Sequence, residues 1–294
     1  MFWYEFGGNK IGRLYIEGPE AEEFPKWRLI SKYKGEFPCH FTLVYVNPGA
    51  YTQVESVATT HNKNIGSWFL LGGMGNNCLQ YIDKNIVYRC PMLQEKSFFA
   101  AVAIKGMHIY TFGGYENVEK CQLKSCEVYS IEKDRWTGNE EVQLHEARSQ
   151  ASACQFDDQT IYIFGGYNKE SGTLGSIERY DINKKRMTLI DLKMIQQLRR
   201  FSTIKISASK ILIIGGIGRL SKDSDSVYCF DASDPESGSG PTSYSMEVLD
   251  KIDRAGPVDQ PVILDSIGSL HLFVENASGT SPPFRTVYSF LEYS

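Results

Sequence analysis

The sequence Ile161-Tyr162-Ile163-Phe164-Gly165-Gly166 indicates the fold, because its pattern recurs along the chain. An apolar run of strand length ends in a pair of glycines. Residues 69–73, 109–114 and 211–216 share this design. From the first of the four runs to the last, the second glycines are 41, 52 and 50 positions apart. The chain is therefore predicted to repeat one structural unit about every fifty residues.

Each run before a glycine pair is largely apolar on both faces, with no strict alternation of apolar and polar residues. A strand with this composition is typical of one that is buried on both faces. The glycine pair that follows lacks Cβ atoms and permits positive φ angles, so it suits a tight exit turn where backbones crowd together. In the unit from Ser149, strands are predicted at residues 149–156, 160–164, 176–182 and 186–192, with short polar turns between them.

A second signature follows the glycine pairs. Tyr129 and Trp136 lie seven positions apart, Tyr180 is followed by Met187 at the same spacing, and Tyr81 by Tyr88. A glycine pair, then a tyrosine, then a large apolar residue seven positions later resembles the kelch motif. The resemblance covers nearly the whole chain, and residues 2–8 and 270–274 look like two further copies. It implies an all-β fold, a six-bladed β-propeller of four-stranded antiparallel blades.

The repeat predicts one domain, residues 1–294. The first and last blades each lack one strand, so either they pair with each other or the segment comes from a longer chain. A stack of β-sandwiches would not repeat glycine pairs at this period, and a WD-type propeller would show Gly-His and Trp-Asp pairs. Residues 47–67 and 234–241 are predicted loops on one face. The loops after the glycine pairs and between blades should share the opposite face.

Composition excludes several classes of function. The net charge is −4 and no long basic block occurs, which argues against a nucleic-acid partner. No apolar run reaches the roughly 20 residues that cross a bilayer, and the N-terminus lacks a basic signal region. The 7 cysteines are irregularly spaced, so free thiols in a reducing compartment, the cytoplasm, are expected. No spacing of histidine or cysteine indicates a metal, and no motif indicates a cofactor.

A candidate binding face follows from the resemblance. Basic residues precede the first strand of successive blades, and in kelch proteins such a ring of cations can read acidic peptides. Arginine would do so through paired, charge-assisted hydrogen bonds to carboxylates. Two tyrosines directly follow their glycine pairs and should project near the central opening. The candidate partner-binding residues are His40, Lys96, Arg148, Arg199, Arg200, Tyr115 and Tyr167.

Each assignment has a structural alternative. A basic residue before the first strand can instead cap the neighbouring blade, and the tyrosines can simply shield the channel. Acidic residues on the same face, such as Glu116 and Glu146, make its field mixed. The predicted function is that of a non-catalytic protein–protein interaction module. Its predicted partner is a protein or peptide, and an acidic peptide is the more specific hypothesis. The alternative is a kelch-type enzyme acting on a sugar or other small molecule, which would need convergent charged groups in an axial pocket.

Overall fold

Antiparallel β-sheets make up the computed structural model, which describes residues 2–7, 10–15, 27–32, 40–46, 66–73, 75–82, 85–233, 243–251, 263–264, 269–273 and 284–289. No α-helix occurs in these ranges, and a single 3-10 turn spans Arg219–Ser221. The predicted loops at 47–67 and 234–241 lie largely or wholly outside the described residues.

The strands of the first half fall into three sheets, numbered here in chain order. Sheet 1 comprises β1 (Phe2–Gly7), β2 (Lys10–Tyr15) and β3 (Trp27–Lys32). Sheet 2 comprises β4 (Phe41–Val46), β5 (Ser67–Gly72), β6 (Cys78–Ile82) and β7 (Asn85–Tyr88). Next come β8 (Lys96–Ser97), β9 (Ala100–Ile104), β10 (His108–Phe112), β11 (Tyr115–Glu116), β12 (Cys121–Gln122), β13 (Ser125–Ser130) and β14 (Arg135–Gln143). Sheet 3 is β9-β10-β13-β14, and β8, β11 and β12 form a small separate ladder.

The second half continues the same plan. Sheet 4 comprises β15 (Ser152–Gln155), β16 (Thr160–Phe164), β19 (Ser176–Asp181) and β20 (Arg186–Lys193), with a short hairpin of β17 (Tyr167–Asn168) and β18 (Gly172–Thr173). Sheet 5 comprises β21 (Ser202–Lys205), β22 (Lys210–Ile214), β23 (Ser226–Asp231) and β24 (Ser245–Lys251). Sheet 6 comprises β25 (Ile263–Leu264), β26 (Ser269–Phe273) and β27 (Phe284–Ser289).

Sheets 2 to 5 are four-stranded meanders whose first strands lie side by side. Cα atoms of β4 and β9, of β9 and β15, and of β15 and β21 approach within 8 Å. The hydroxyl groups of Ser152 and Thr203, on neighbouring first strands, are 2.8 Å apart. Consecutive sheets therefore meet along their inner strands, as the blades of a propeller do. This arrangement agrees with the predicted all-β fold of antiparallel four-stranded units.

Large aromatic residues fill the space between neighbouring sheets. Tyr129 lies directly opposite Trp136 in the β13–β14 pairing, and their ring centroids are 5.0 Å apart. Both pack with Phe69 of sheet 2, so the cluster joins two sheets. Tyr180 and Met187 repeat the cross-strand pairing in sheet 4. The spacing of seven thus places the two residues of the signature on facing strands of one hairpin.

Sheet 2 departs from this pattern. Tyr81 lies opposite Ile86, because only two residues separate β6 from β7 there. Tyr88 falls beyond that position, and 70% of it is exposed. The predicted equivalence of Tyr88 with Trp136 is therefore wrong, and the shorter turn is the reason.

Candidate functional site

The loops after the glycine pairs form short β-bridges with the segments that precede the first strands of the sheets. These preceding segments are called lead-in segments below. Tyr115 lies opposite Ser97, Tyr167 bridges to Ser149, and Ile217 bridges to Arg199. These contacts gather residues 93–99, 115–122, 145–151, 167–173, 195–201 and 217–224 at one end of sheets 3 to 5. This end is called the loop face below.

A line of left-handed residues crosses the loop face. Phe98, Gln150 and Arg200 have φ angles of 54°, 57° and 55°, and His40 has 59°. The backbone N–H of Gln150 donates to the carbonyl of Phe98 (2.7 Å), and that of Arg200 donates to the carbonyl of Gln150 (3.0 Å). The His40 and Phe98 rings are 4.7 Å apart. Hydrogen bonds thus join the segments that precede sheets 3, 4 and 5 at the loop face.

The glycine pairs donate backbone hydrogen bonds to the same segments. The N–H of Gly73 donates to the Lys96 carbonyl (3.1 Å), that of Gly114 to the Arg148 carbonyl (2.8 Å), and that of Gly166 to Leu198 (2.8 Å). Each second glycine has a positive φ, from 94° to 117°. In three consecutive repeats, the second glycine therefore holds the next lead-in segment through an equivalent backbone hydrogen bond.

These contacts show that the predicted cations do not form one ring. Lys96 and Arg148 occupy one position of the repeat, where the next unit has Leu198. Arg199 is equivalent to Ser97 and Ser149. His40 and Arg200 share the left-handed position with Phe98 and Gln150. The five basic residues thus occupy three different positions of the repeat.

Lys96 is fully buried. Its Nζ lies 2.8 Å from Glu127 Oε1 and donates to Thr111 Oγ1 (3.2 Å). Burial lowers the pKa of Lys96, and the Glu127 carboxylate opposes that shift. The other oxygen of Glu127 accepts the backbone N–H of Leu93 at 3.0 Å. The pair therefore ties the segment between sheets 2 and 3 to the interior of sheet 3.

Arg148 makes the corresponding pair in sheet 4 and is also fully buried. Its guanidinium donates to Glu178 Oε1 (2.5 Å), the Gly165 carbonyl (2.9 Å) and Ser176 Oγ (3.1 Å). Burial lowers the pKa of Arg148, whereas Glu178 and Glu146 raise it. A side chain with no exposed surface cannot meet a partner. We therefore assign Arg148 and Lys96 a structural role, the alternative raised from the sequence.

Arg199 differs from both buried cations. Its guanidinium lies over the Tyr167 ring, 5.3 Å from the ring centroid. It donates to Gln150 Oε1 (3.2 Å) and Ser221 Oγ (3.3 Å), which are neutral acceptors. Among the described residues, no carboxylate forms an ion pair with it. Arg199 and Tyr167 are both half-exposed, so the structure presents an oriented, uncompensated positive charge on the loop face.

The remaining candidates with exposed surface are Tyr115, Arg200 and His40. Tyr115 is half-exposed in the hairpin of sheet 3, and the Ser97 hydroxyl donates to its carbonyl (3.5 Å). Arg200 is half-exposed next to Arg199 along the chain, and His40 is exposed at the start of sheet 2. The structure places the Arg199 guanidinium against the Tyr167 ring, and Arg200 is adjacent to Arg199 in sequence.

One group of potential metal ligands occurs in the described ranges. Side-chain ligand atoms of Glu116, Glu119 and Cys121 lie within 4.8 Å of one another on the sheet 3 hairpin. Both oxygens of Glu116 already accept backbone N–H groups, from Val118 (3.0 Å) and Glu119 (2.5 Å). The carboxylate therefore shapes the turn.

The family model of the KLHDC2/KLHL20/DRC7 Kelch-repeats domain matches residues 99–243, which contain sheets 3 and 4 and most of sheet 5. Residues 99–243 are therefore kelch repeats. An F-box/kelch-repeat protein of Arabidopsis thaliana is 40% identical over 84 residues, which cover 26% of this chain and 20% of the relative. Kelch-like protein 26 of Danio rerio is 32% identical over 92 residues, which cover 31% and 14%.

The matched parts thus span a fifth or less of these curated relatives. The solved structure of YjhT is similar to this kelch chain with a TM-score of 0.68 at 10% identity, over 94% of this chain and 87% of YjhT. At that identity the likeness shows the fold alone. Within the described ranges, no helix is long and apolar enough to cross a membrane.

The buried carboxylates are the residues that sequence reasoning missed. Glu127 and Glu178 each stand two positions before the tyrosine of the kelch signature, in an otherwise largely apolar strand. A charged residue at one fixed position of two repeats, together with a cation before the first strand, is the available signal. In the next kelch repeat Leu198 replaces the cation and Tyr228 replaces the carboxylate, so the pair changes as a unit.

The described cysteines of these repeats are free thiols. Cys78, Cys126 and Cys154 are buried, and burial raises the pKa of each to about 12. Thiols with such pKa values stay protonated near neutral pH and are poor nucleophiles and metal ligands. We therefore place these three cysteines in the hydrophobic packing rather than in the candidate site.

Proposed function

We propose that this kelch-repeat protein is a non-catalytic interaction module that binds another protein through the loop face. Kelch repeats also occur in the F-box/kelch-repeat and Kelch-like relatives, which supports a binding role. The proposed contact surface comprises Arg199, Tyr167, Arg200 and Tyr115 of the loop face, together with His40, whose ring lies next to that of Phe98. Lys96 and Arg148 support it from beneath by holding the lead-in segments in place.

The observation that carries this proposal is the environment of Arg199. A guanidinium that stacks on an aromatic ring and donates only to neutral groups keeps its charge available for a ligand. Each neighbouring buried cation, Lys96 or Arg148, is neutralised by a glutamate. Because no carboxylate of the described residues pairs with Arg199, an acidic segment is the partner that best complements it.

We propose further that the module is one domain, a closed ring of six blades over residues 1–294. Four four-stranded sheets and two three-stranded sheets near the chain ends support this count. Among the described residues, each terminal sheet is one strand short of a blade, so pairing between chain ends would complete the ring. Free buried thiols agree with a reducing compartment, and the cytoplasm is the proposed location.

Affinity capture with matched variants tests the binding face. The double variant Arg199→Ala/Tyr167→Ala should capture at least about ten-fold less of a protein that the wild-type chain binds stoichiometrically. The reason is that truncating a central interface residue commonly costs more than about 1 kcal/mol. Arg186→Ala removes an exposed arginine from the turn that starts β20, away from the loop face. That control should capture the protein as the wild type does.

The melting temperatures of both variants serve as the check on folding. A protein captured equally by the wild type and the double variant would contradict the proposed face. Recovery of a bound small molecule, with no stoichiometric protein, would contradict the interaction module and favour an enzyme.

A further inference from the structure

One corner of the loop face is built from two segments, residues 195–199 and 217–224, which we call the corner. Gln197 Oε1 accepts a hydrogen bond from Arg219 Nε. Gln196 Oε1 accepts from the hydroxyl groups of Ser224 (3.2 Å) and Tyr228 (2.5 Å). Side-chain hydrogen bonds therefore fix the segment between sheets 4 and 5 against the loop of sheet 5.

The corner exposes two large apolar side chains. Leu220 is completely exposed, at 101%, and Ile195 is 54% exposed. Leu220 also has φ 57° and ψ 25°, a left-handed conformation that is uncommon for a residue with a large side chain and costs roughly 1 kcal/mol or more. Within the described chain, this leucine gains no burial that would offset the strain.

The segments that carry these apolar side chains also hold the uncompensated cation. Ser221, the neighbour of Leu220, accepts the hydrogen bond from Arg199 Nη2 at 3.3 Å. The same loop therefore carries Leu220 and helps to orient the guanidinium. Ile195 belongs to the segment that bears Arg199, so both apolar side chains lie on the two segments that position this cation.

We propose that the corner binds a partner segment in which a carboxylate lies next to a large apolar side chain. This inference rests on the proposed interaction function and names the chemistry of the partner. The carboxylate would pair with Arg199, and the apolar side chain would pack on Leu220 and Ile195. Charge complementarity selects an acidic group, and the adjacent apolar surface selects its neighbour.

Selection from a phage-displayed library of random twelve-residue peptides on the full chain tests this inference. Enriched peptides should carry Asp or Glu within two positions of Leu, Ile, Met or Phe. The dissociation constant of a synthetic enriched peptide is then measured by isothermal titration calorimetry. Leu220→Ser should weaken binding by about ten-fold, and Arg199→Gln by about ten- to one-hundred-fold.

Val118→Ser is the matched control. Val118 is 77% exposed in the sheet 3 hairpin, so this change removes an exposed apolar side chain from another part of the loop face and should alter affinity less than two-fold. Enriched peptides without the acidic–apolar pair, or equal losses in Leu220→Ser and Val118→Ser, would overturn the corner assignment. The interaction module would still stand if lysate capture depended on Arg199 and Tyr167. Failure to enrich any peptide would also overturn the corner assignment.

Discussion

Arg148→Met is expected to lower the free energy of unfolding by about 3–5 kcal/mol, because it leaves the buried Glu178 carboxylate without its cation. The guanidinium also donates to the carbonyl groups of Gly165 and Ser176, which lose these donors. Methionine keeps much of the arginine stem, so lost volume is a small part of the effect. Urea unfolding followed by tryptophan fluorescence measures the change.

Arg199→Met is the matched control for this prediction. Its guanidinium is half-exposed and hydrogen-bonds to neutral side chains, so the loss should stay near 1 kcal/mol or below. The double variant Arg148→Met/Glu178→Gln should recover part of the stability lost in Arg148→Met, since the unpaired charge is removed. Equal stability of Arg148→Met and the wild type would show that this pair does not hold the lead-in segment.

Gly113→Ala is expected to destabilise the fold by about 2–4 kcal/mol. Gly113 has φ 62°, and a Cβ atom built there would lie 2.3 Å from the carbonyl oxygen of Arg148. A left-handed alanine costs roughly 1 kcal/mol, and forced displacement of packed backbone adds about 1–3 kcal/mol. The effect should appear as a lower urea midpoint.

Gly172→Ala separates the two causes. Gly172 has φ 77°, but a Cβ atom there would meet nothing within 4 Å. This control should therefore cost only the conformational part, roughly 1 kcal/mol. If both substitutions lower stability by the same amount, crowding against the next lead-in segment does not explain the glycine pairs.

The inner strands and the glycine pairs could be predicted from the sequence because both depend on local patterns. The run from Ile161 to Phe164 is apolar throughout, and it lies in the strand Thr160–Phe164. The pairing of Tyr129 with Trp136 also follows from local spacing. Tyr81 shows the limit, because the turn between its strands is two residues shorter and shifts its partner to Ile86.

The depth of the cations could not be predicted in the same way. Arg148 is buried because Glu178, thirty positions later, comes to lie beside it. Arg199 stays half-exposed because Leu198 takes the buried position in its repeat. A difference of one position in the repeat therefore separates a structural arginine from a candidate binding arginine. The hydrogen bonds from the glycine pairs reveal that position.

Hydrogen exchange measured by mass spectrometry, with and without the captured partner, tests the central claim most directly. We predict slower exchange on binding in residues 93–99, 115–122, 145–151, 167–173, 195–201 and 217–224, which form the loop face. Exchange in the turns at the other ends of the same sheets, residues 105–107, 157–159 and 207–209, should not change. Protection confined to those turns, with none on the loop face, would contradict the account.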